Sequence, residues 1–220
     1  MLKDLSEIVF LSLKVSGIAL LLSAAIGLPI GIYMGLRHFT GRKLATAVLY
    51  TGMGFPPVVI GLFVYLLLSR GGTLGGAGLP FIPSLFTPGA MILAQTIISF
   101  PLIAGFSMAA VMSVDPQVRL QVLSLGATKS QAVLAILQEA RIGVIAAVAA
   151  GFGSIISEVG AVMLVGGNIE GSTRVMTTAI VLETRKGNFD LALALGCVLL
   201  TITFITNLLI LRLQGDKAYD

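Results

Sequence analysis

Apolar residues come in five long runs, at 8–36, 44–68, 88–112, 140–165 and 189–211, with most polar residues confined to the segments between them. About 20 apolar residues cross a bilayer core as a helix. Each run carries at most one or two charges. Hydrocarbon offers no water to the backbone, so every N–H and C=O must pair within its segment, and the runs predict helices. The alternation of a membrane β-barrel is absent. The pattern therefore predicts an all-α, polytopic membrane helix bundle of about five transmembrane helices, one domain over 1–220.

Composition agrees. Hydrophobic residues make up 56% of the chain and charged residues 11%, against about 25% charged in a soluble domain. Mean hydropathy is +1.02. The first run is too long for a signal peptide, and no convincing cleavage site precedes the basic 37–43 loop, so it is expected to stay in the mature protein. Cys197 stands alone in a span and offers no disulfide framework; a small buried hydrophobe is the expected role. His38, the only histidine, lies in a basic loop, which leaves histidine-based metal or triad chemistry little to use. No cofactor is expected.

Cytoplasmic loops collect Lys and Arg. Five spans place the termini on opposite sides. One side holds Arg37, Arg42, Lys43, Arg119, Lys129, Arg141, Arg212 and Lys217, and the other Lys3, Arg70, Arg174, Arg185 and Lys186. Eight against five predicts an external N-terminus and a cytoplasmic C-terminus. Lys14 can snorkel along its own stem. The net charge of +4 thus reflects loop placement, and nucleic acid is not an expected partner.

The most informative polar segment is the predicted cytoplasmic loop 113–139. Asp115-Pro116 is an N-cap followed by proline at the first helical position. Val118, Val122 and Leu125 recur on one helical face. Gly126 falls where a left-handed C-cap is wanted. Thr128 and Gln131 form a T-x-x-Q capping box. Val133, Ile136, Leu137 and Ala140 make a second apolar face. Such a helix–Gly–helix elbow is either a connector folded onto its own bundle or a docking element whose apolar face fills a groove on another protein.

Two runs contain helix breakers. Gly52, Gly54, Pro56, Pro57 and Gly61 interrupt the second. Phe100-Pro101 breaks the third, with Gln95 and Ser99 one turn before. Each break alone reads as an ordinary membrane kink. Together they mark Pro56, Pro57, Gln95, Ser99 and Pro101 as pore or gate candidates, because a transport route needs polar groups at midplane depth. In the fourth run Gly143, Ala147 and Gly151 permit close helix approach. Ser154, Ser157 and Glu158 follow. A carboxylate at this depth costs at least about 2–3 kcal/mol, so Glu158 needs a partner or a proton. Three roles compete: a cation or proton carrier, an acceptor for freed backbone donors, or a side chain reaching headgroup level. A structural or gating hydrogen-bond acceptor is favoured. Gly166-Gly167-Asn168 reads as a turn, 173–186 as a short amphipathic surface helix with Val175, Ile180 and Leu182 on its apolar side, and 71–78 as a further outer loop.

The elbow resembles the cytoplasmic EAA loop of ATP-binding-cassette importer permeases. Gly126 and Ile136 match its glycine-to-isoleucine spacing, and LGATKSQA (125–132) resembles its core. Leu120-Gln121-Val122 replaces the acidic-Ala-Ala triplet, and Gln138-Glu139 the usual Leu-Pro. SLKVSGIALLLSAAIGLPIGIYMG (12–35), GFPPVVIGLFVYLLLSRGGTLG (54–75), SEVGAVMLVGGNIEGSTRVMTTAI (157–180) and GNFDLALALGCVLL (187–200) resemble the molybdate/tungstate/sulfate oxyanion branch, the tungstate-type subunit most.

The resemblance implies a type I importer-permease fold, and a homodimer in lipid at the prokaryotic cytoplasmic (inner) membrane. It also implies a cytoplasmic ATPase dimer on the coupling loop (Leu125, Gly126, Ala127, Thr128, Gln131, Ile136) and an extracytoplasmic oxyanion-binding protein. No G-x-x-x-x-G-K-[ST] loop occurs, so ATP hydrolysis is expected of a partner and no catalytic residue here. An ion-coupled secondary carrier would need ionisable relays, for which only Glu158 qualifies. A membrane enzyme has still less to work with.

Overall fold

The computed structural model describes residues 2–77, 79 and 82–214. Lys217 and Gly78 lie outside the described residues. Ten α-helices follow one another: α1 (Leu2–Leu36), α2 (Arg42–Met53), α3 (Pro57–Leu68), α4 (Pro88–Met112), α5 (Pro116–Ser124), α6 (Lys129–Glu139), α7 (Arg141–Ile156), α8 (Gly160–Gly166), α9 (Met176–Arg185) and α10 (Phe189–Gln214). Three of them, α1, α4 and α10, are long and apolar enough to cross a membrane as single helices. Two bent pairs pass the same test when each is taken together, α2 with α3, at 99°, and α6 with α7, at 58°.

The axis of the bundle is α4, the most buried of the three unbroken spans. Thr87 caps it, accepting from Ala90 N, with Pro88 at its first position. α1 runs beside it in parallel. Gly27 meets Phe100 and Ile103, Gly31 meets the Ala104 backbone, and Gly35 meets Val111. Ser23, one turn earlier, pairs with Ser99 and donates to Thr96 O. Ser23, Gly27, Gly31 and Gly35 thus form a stripe of small residues at i+4 spacing, which lets the two backbones touch. The sequence reading missed this stripe. On its other side α4 receives α7 antiparallel, through Gly143 on Ala110 and Gly151 on Ile103, as the small residues of the fourth run predict.

The described core has an outer part, Ile60, Val64, Leu68, Met91, Ala94, Ala161 and Val165 among it. An inner part holds Met34, Leu49, Ala104 and Met108. A third cluster joins Phe152 and Ile156 to Met176 and Leu195 on α9 and α10.

Three local readings change. Pro101 does not break its helix; α4 runs through it from Pro88 to Met112. One missing donor is one bond in a 25-residue helix, and neighbouring helices hold the segment in place. Residues 173–186 do not form a surface helix. Its first turn is buried: Met176, Thr177, Thr178 and Ala179 are all enclosed, Met176 N donates to Ser12 Oγ at 2.8 Å, and Ile180 and Leu182 are only half-buried. Cys197 is exposed on α10 rather than buried, since that helix turns most of its side chains outward.

Candidate functional site

Two features stand apart from ordinary bundle packing: breaks in two spans that lie against each other, and an elbow at the far end of α4.

The first break follows Met53. α2 ends at Gly54, and α3 restarts with Pro56 as N-cap and Pro57 at its first position. Pro57 therefore sits where a missing N–H costs nothing, with no preceding helical turn for its ring to meet. The interruption is made by the 54–56 stretch. The second break falls at 157–159, between α7 and α8. Here Ser157 is exposed and its Oγ donates to Gly153 O at 2.7 Å. Glu158 is 9% exposed. Its Oε1 accepts from Ala161 N at 2.9 Å, and its carbonyl accepts from Thr177 Oγ1 at 2.9 Å. A free N–H at the start of α8 thereby gains a carboxyl oxygen as acceptor.

These breaks meet in space. Val58, just past the first, lies against Gly160, just past the second, and Gly61 lies against the Ala161 backbone. α4 lines both. Pro101 packs on Gly52, and Gly105 on Met53. Gln95, 3% exposed, donates from Nε2 to Ile155 O at 3.2 Å and so ties down the last turn of α7. Its Oε1 is buried without a partner. Ser99 is fully buried, donating to Gln95 O at 2.8 Å and paired with Ser23. Pro56, Pro57, Gln95, Pro101, Ser157 and Glu158 thus form one neighbourhood, with Ser99 at its edge on the α1 side. Gly61 was expected only as a helix breaker, and Gly160 was not singled out, although a glycine beside Glu158 was the available signal.

The elbow lies away from the breaks. Asp115 Oδ1 accepts from Gln117 N at 2.8 Å and caps α5. Gly126 has φ +85°, with open space around it, and Ala127 N closes the turn on Val122 O at 3.2 Å. Thr128 and Gln131 form the reciprocal capping box, at 2.8 and 3.3 Å. The two helices differ in what they bury. α6 folds onto its own bundle: Ala132, Ile136 and Ala140 are buried, with Val111, Ile32 and Leu36 around Ile136 and Ala140. Ile136, Leu137 and Ala140 lie on that face as expected; Val133 is 37% exposed instead, and Ala132 takes its place at i+4 spacing from Ile136. α5 buries no residue at all. Leu120 is 63% exposed and Leu125 87%. They flank a shallow groove shared with Gln117, Gln121 and Ser124.

Among the described residues no cluster of acidic, histidine or cysteine side chains suits a metal ion. A third polar group gathers where α9 leads into α10. Glu183 Oε1 accepts from Lys186 Nζ at 2.9 Å and Oε2 from Asn188 Nδ2 at 3.1 Å. The Lys186 hydrogen bond holds the Glu183 carboxyl below its ordinary range, against an opposing push from burial.

Comparison with known proteins places this geometry. The family model for the binding-protein-dependent transport system inner membrane component matches residues 27–216. A probable anion ABC transporter permease protein of Haloferax volcanii is 47% identical over 93% of this chain and 88% of its own length. The tungstate uptake system permease protein TupB of Peptoclostridium acidaminophilum is 42% identical over 95% and 90%. The molybdenum transport system permease protein ModB of Escherichia coli is 27% identical over 93% and 90%. A crystal structure of an amino acid ABC transporter with histidines superimposes with a TM-score of 0.65 at 20% identity, covering 97% of this chain and 92% of that one. That likeness bears on the fold alone.

Proposed function

This chain belongs to the family of binding-protein-dependent transport system inner membrane components, and from there we propose that it passes a tetrahedral oxyanion, tungstate first, into the cytoplasm. It is the multi-pass permease subunit of an ATP-binding-cassette importer, and partners of two kinds come with that family: an ATPase and a binding protein. The finer assembly is our reading: two copies of this chain, a cytoplasmic ATPase dimer beneath them and an oxyanion-binding protein outside. Molybdate and sulfate are the alternative cargoes. The names of the two TupB relatives, at 42% and 36% identity, support tungstate over molybdate, whose named carriers are more distant.

The observation that carries the coupling role is the split elbow. α6 is anchored in the bundle while α5 offers bare Leu120 and Leu125. A nine-residue helix with nothing buried gains most by filling a groove on another protein. ATP-driven closure of the partner pushes α5. α6 and the bend into α7 carry the displacement inward to the 157–159 break. There α8 and α3 move as one packed pair, while α1 and α4 stay as a continuous spine. The exposed face of α3, with Val58, Leu62 and Phe63 each about half open, suits the second copy. The eight-to-five excess of basic residues supports an external N-terminus and a cytoplasmic elbow.

The test is co-elution and uptake. The chain is purified with its ATPase, and Leu125→Asp is expected to abolish co-elution while leaving the chain monodisperse in detergent. Uptake into proteoliposomes carrying all subunits is then competed with tungstate, molybdate and sulfate; tungstate is expected to compete best. Uphill uptake by the chain without an ATPase would overturn the coupling role. Competition by sulfate alone would overturn the cargo.

A further inference from the structure

Arg174 lies in the loop between α8 and α9, and its side chain is only 17% exposed. Nη1 donates to Glu170 Oε2 at 3.2 Å. Nε is buried and meets no acceptor. Nε–H belongs to the side-on edge of the guanidinium, which grips a carboxylate or phosphate through two parallel hydrogen bonds. A buried charged donor left unpaired is costly, so this edge calls for an oxyanion group.

The cavities around it narrow the ligand. One of about 390 Å³ is lined by Glu7, Ile8, Phe10, Leu11, Glu170 and Arg174, with Gly171 and Ser172 at its rim. A second, of about 190 Å³, continues past Arg174 towards Glu183 and Lys186. The larger cavity therefore holds both signs of charge. A free dianion would meet two carboxylates and one guanidinium that Glu170 already shares, a balance that Coulomb's law makes repulsive. A ligand bearing a phosphate and an ammonium a few bonds apart satisfies both signs. The position fits such a ligand too. Glu7 and Ile8 stand at the start of the span that begins at Leu5, the level of the headgroups. Phe10, 69% exposed, and Leu13, 40% exposed, lead from there along α1 into the hydrocarbon.

We propose that this is a binding site for an amine-bearing phospholipid headgroup. Its phosphate sits on the Nε edge of Arg174, its ammonium between Glu7 and Glu170, and its acyl chains along α1. The lipid braces the loop into α9, whose first turn bonds Ser12 on α1 and the Glu158 carbonyl.

The experiment uses the full chain with its co-eluting subunits, equilibrated with vesicles of equal phosphatidylethanolamine and phosphatidylglycerol. Lipid retained after delipidating washes is counted by native mass spectrometry. The unmodified chain is expected to keep phosphatidylethanolamine over phosphatidylglycerol. Arg174→Gln should cut that retention about tenfold, the worth of one charge-assisted pair. Glu7→Gln, on an exposed side chain, should leave the fold intact and abolish the preference for the amine. Millimolar inorganic phosphate should leave the retained lipid in place. Equal retention of both lipids by the unmodified chain overturns the proposal. So does retention that neither variant changes. Displacement of lipid by inorganic phosphate would make it a free-anion site instead. If Arg174→Gln fails to fold, the Glu7→Gln result decides alone.

Discussion

Gly17 and Gly31 lie on the same helix and face opposite fates on gaining a methyl group. Nothing lies within 4 Å of a Cβ built at Gly17, whereas one at Gly31 runs into the Ala104 carbonyl on α4. Ala is a better helix former than Gly by about 1 kcal/mol. Gly17→Ala should therefore be neutral or stabilising. Gly31→Ala should cost about 1–3 kcal/mol through overpacking, because a backbone cannot step aside as a side chain can. Thermal melts of both variants in detergent check this, and equal melting points would refute the tight α1–α4 contact. Glu158 makes a second residue-scale case. If its role is to accept from Ala161 N, Glu158→Gln keeps an acceptor and should retain stability and uptake. Glu158→Ala should lose about 1 kcal/mol, the usual cost of a lost cap. Loss of uptake in the Gln variant would instead show that the charge itself matters. Local chemistry of this kind was legible in the sequence. Asp115, Gly126 and the Thr128–Gln131 box act within four residues, so their pattern and their geometry coincide.

At the scale of elements, what a helix does depends on its neighbours, and there the sequence said less. Pro101 carries the same local instruction as Pro56, yet α4 continues while α2 stops. One proline is clamped against Gly52 inside the bundle; the other stands beside Gly54 and a second proline, which together leave no turn to continue. The meeting of Val58 with Gly160 joins residues about a hundred positions apart, and no periodicity encodes it. The small stripe on α1 was readable in principle at i+4 spacing, but an apolar span hides glycines that have no polar contrast around them. Residues 173–186 were misplaced for a related reason: threonines 177 and 178 look polar, and the structure buries them by pairing their hydroxyls with Glu158 O and Val175 O. The far end of α9 adds a pH effect. Because Lys186 lowers the Glu183 carboxyl from its ordinary 4.5, the stabilisation is complete above that value and fades as pH falls through the lowered one. Melts between pH 7 and pH 3 should show this loss, and Glu183→Gln should flatten it.

Over the whole molecule, five apolar runs announced the bundle. What they could not announce was its division into three unbroken helices, two of them packed as a central pair, and two jointed spans. α1, with 35 residues, is about 52 Å long, well beyond a hydrocarbon core of about 30 Å, so it extends past the membrane or tilts within it. α4 runs in parallel against it, and the outer and inner cores are both built on that pair. This arrangement predicts where motion is concentrated. Amide exchange during ATP turnover should rise at 54–56 and 157–159 and stay low along 96–108. Uniform exchange across these segments would contradict a jointed mechanism.

Bare α5 has one more consequence. Helices shorter than about 12 residues are marginal in water without packing, and this one has only its cap and its proline. A solitary copy of the chain should therefore unravel there before α6 does, and trypsin should nick it after Arg119. A docked partner would shield that bond. Slower cleavage there on adding the ATPase would report that the segment is covered, and unchanged cleavage that it stays bare.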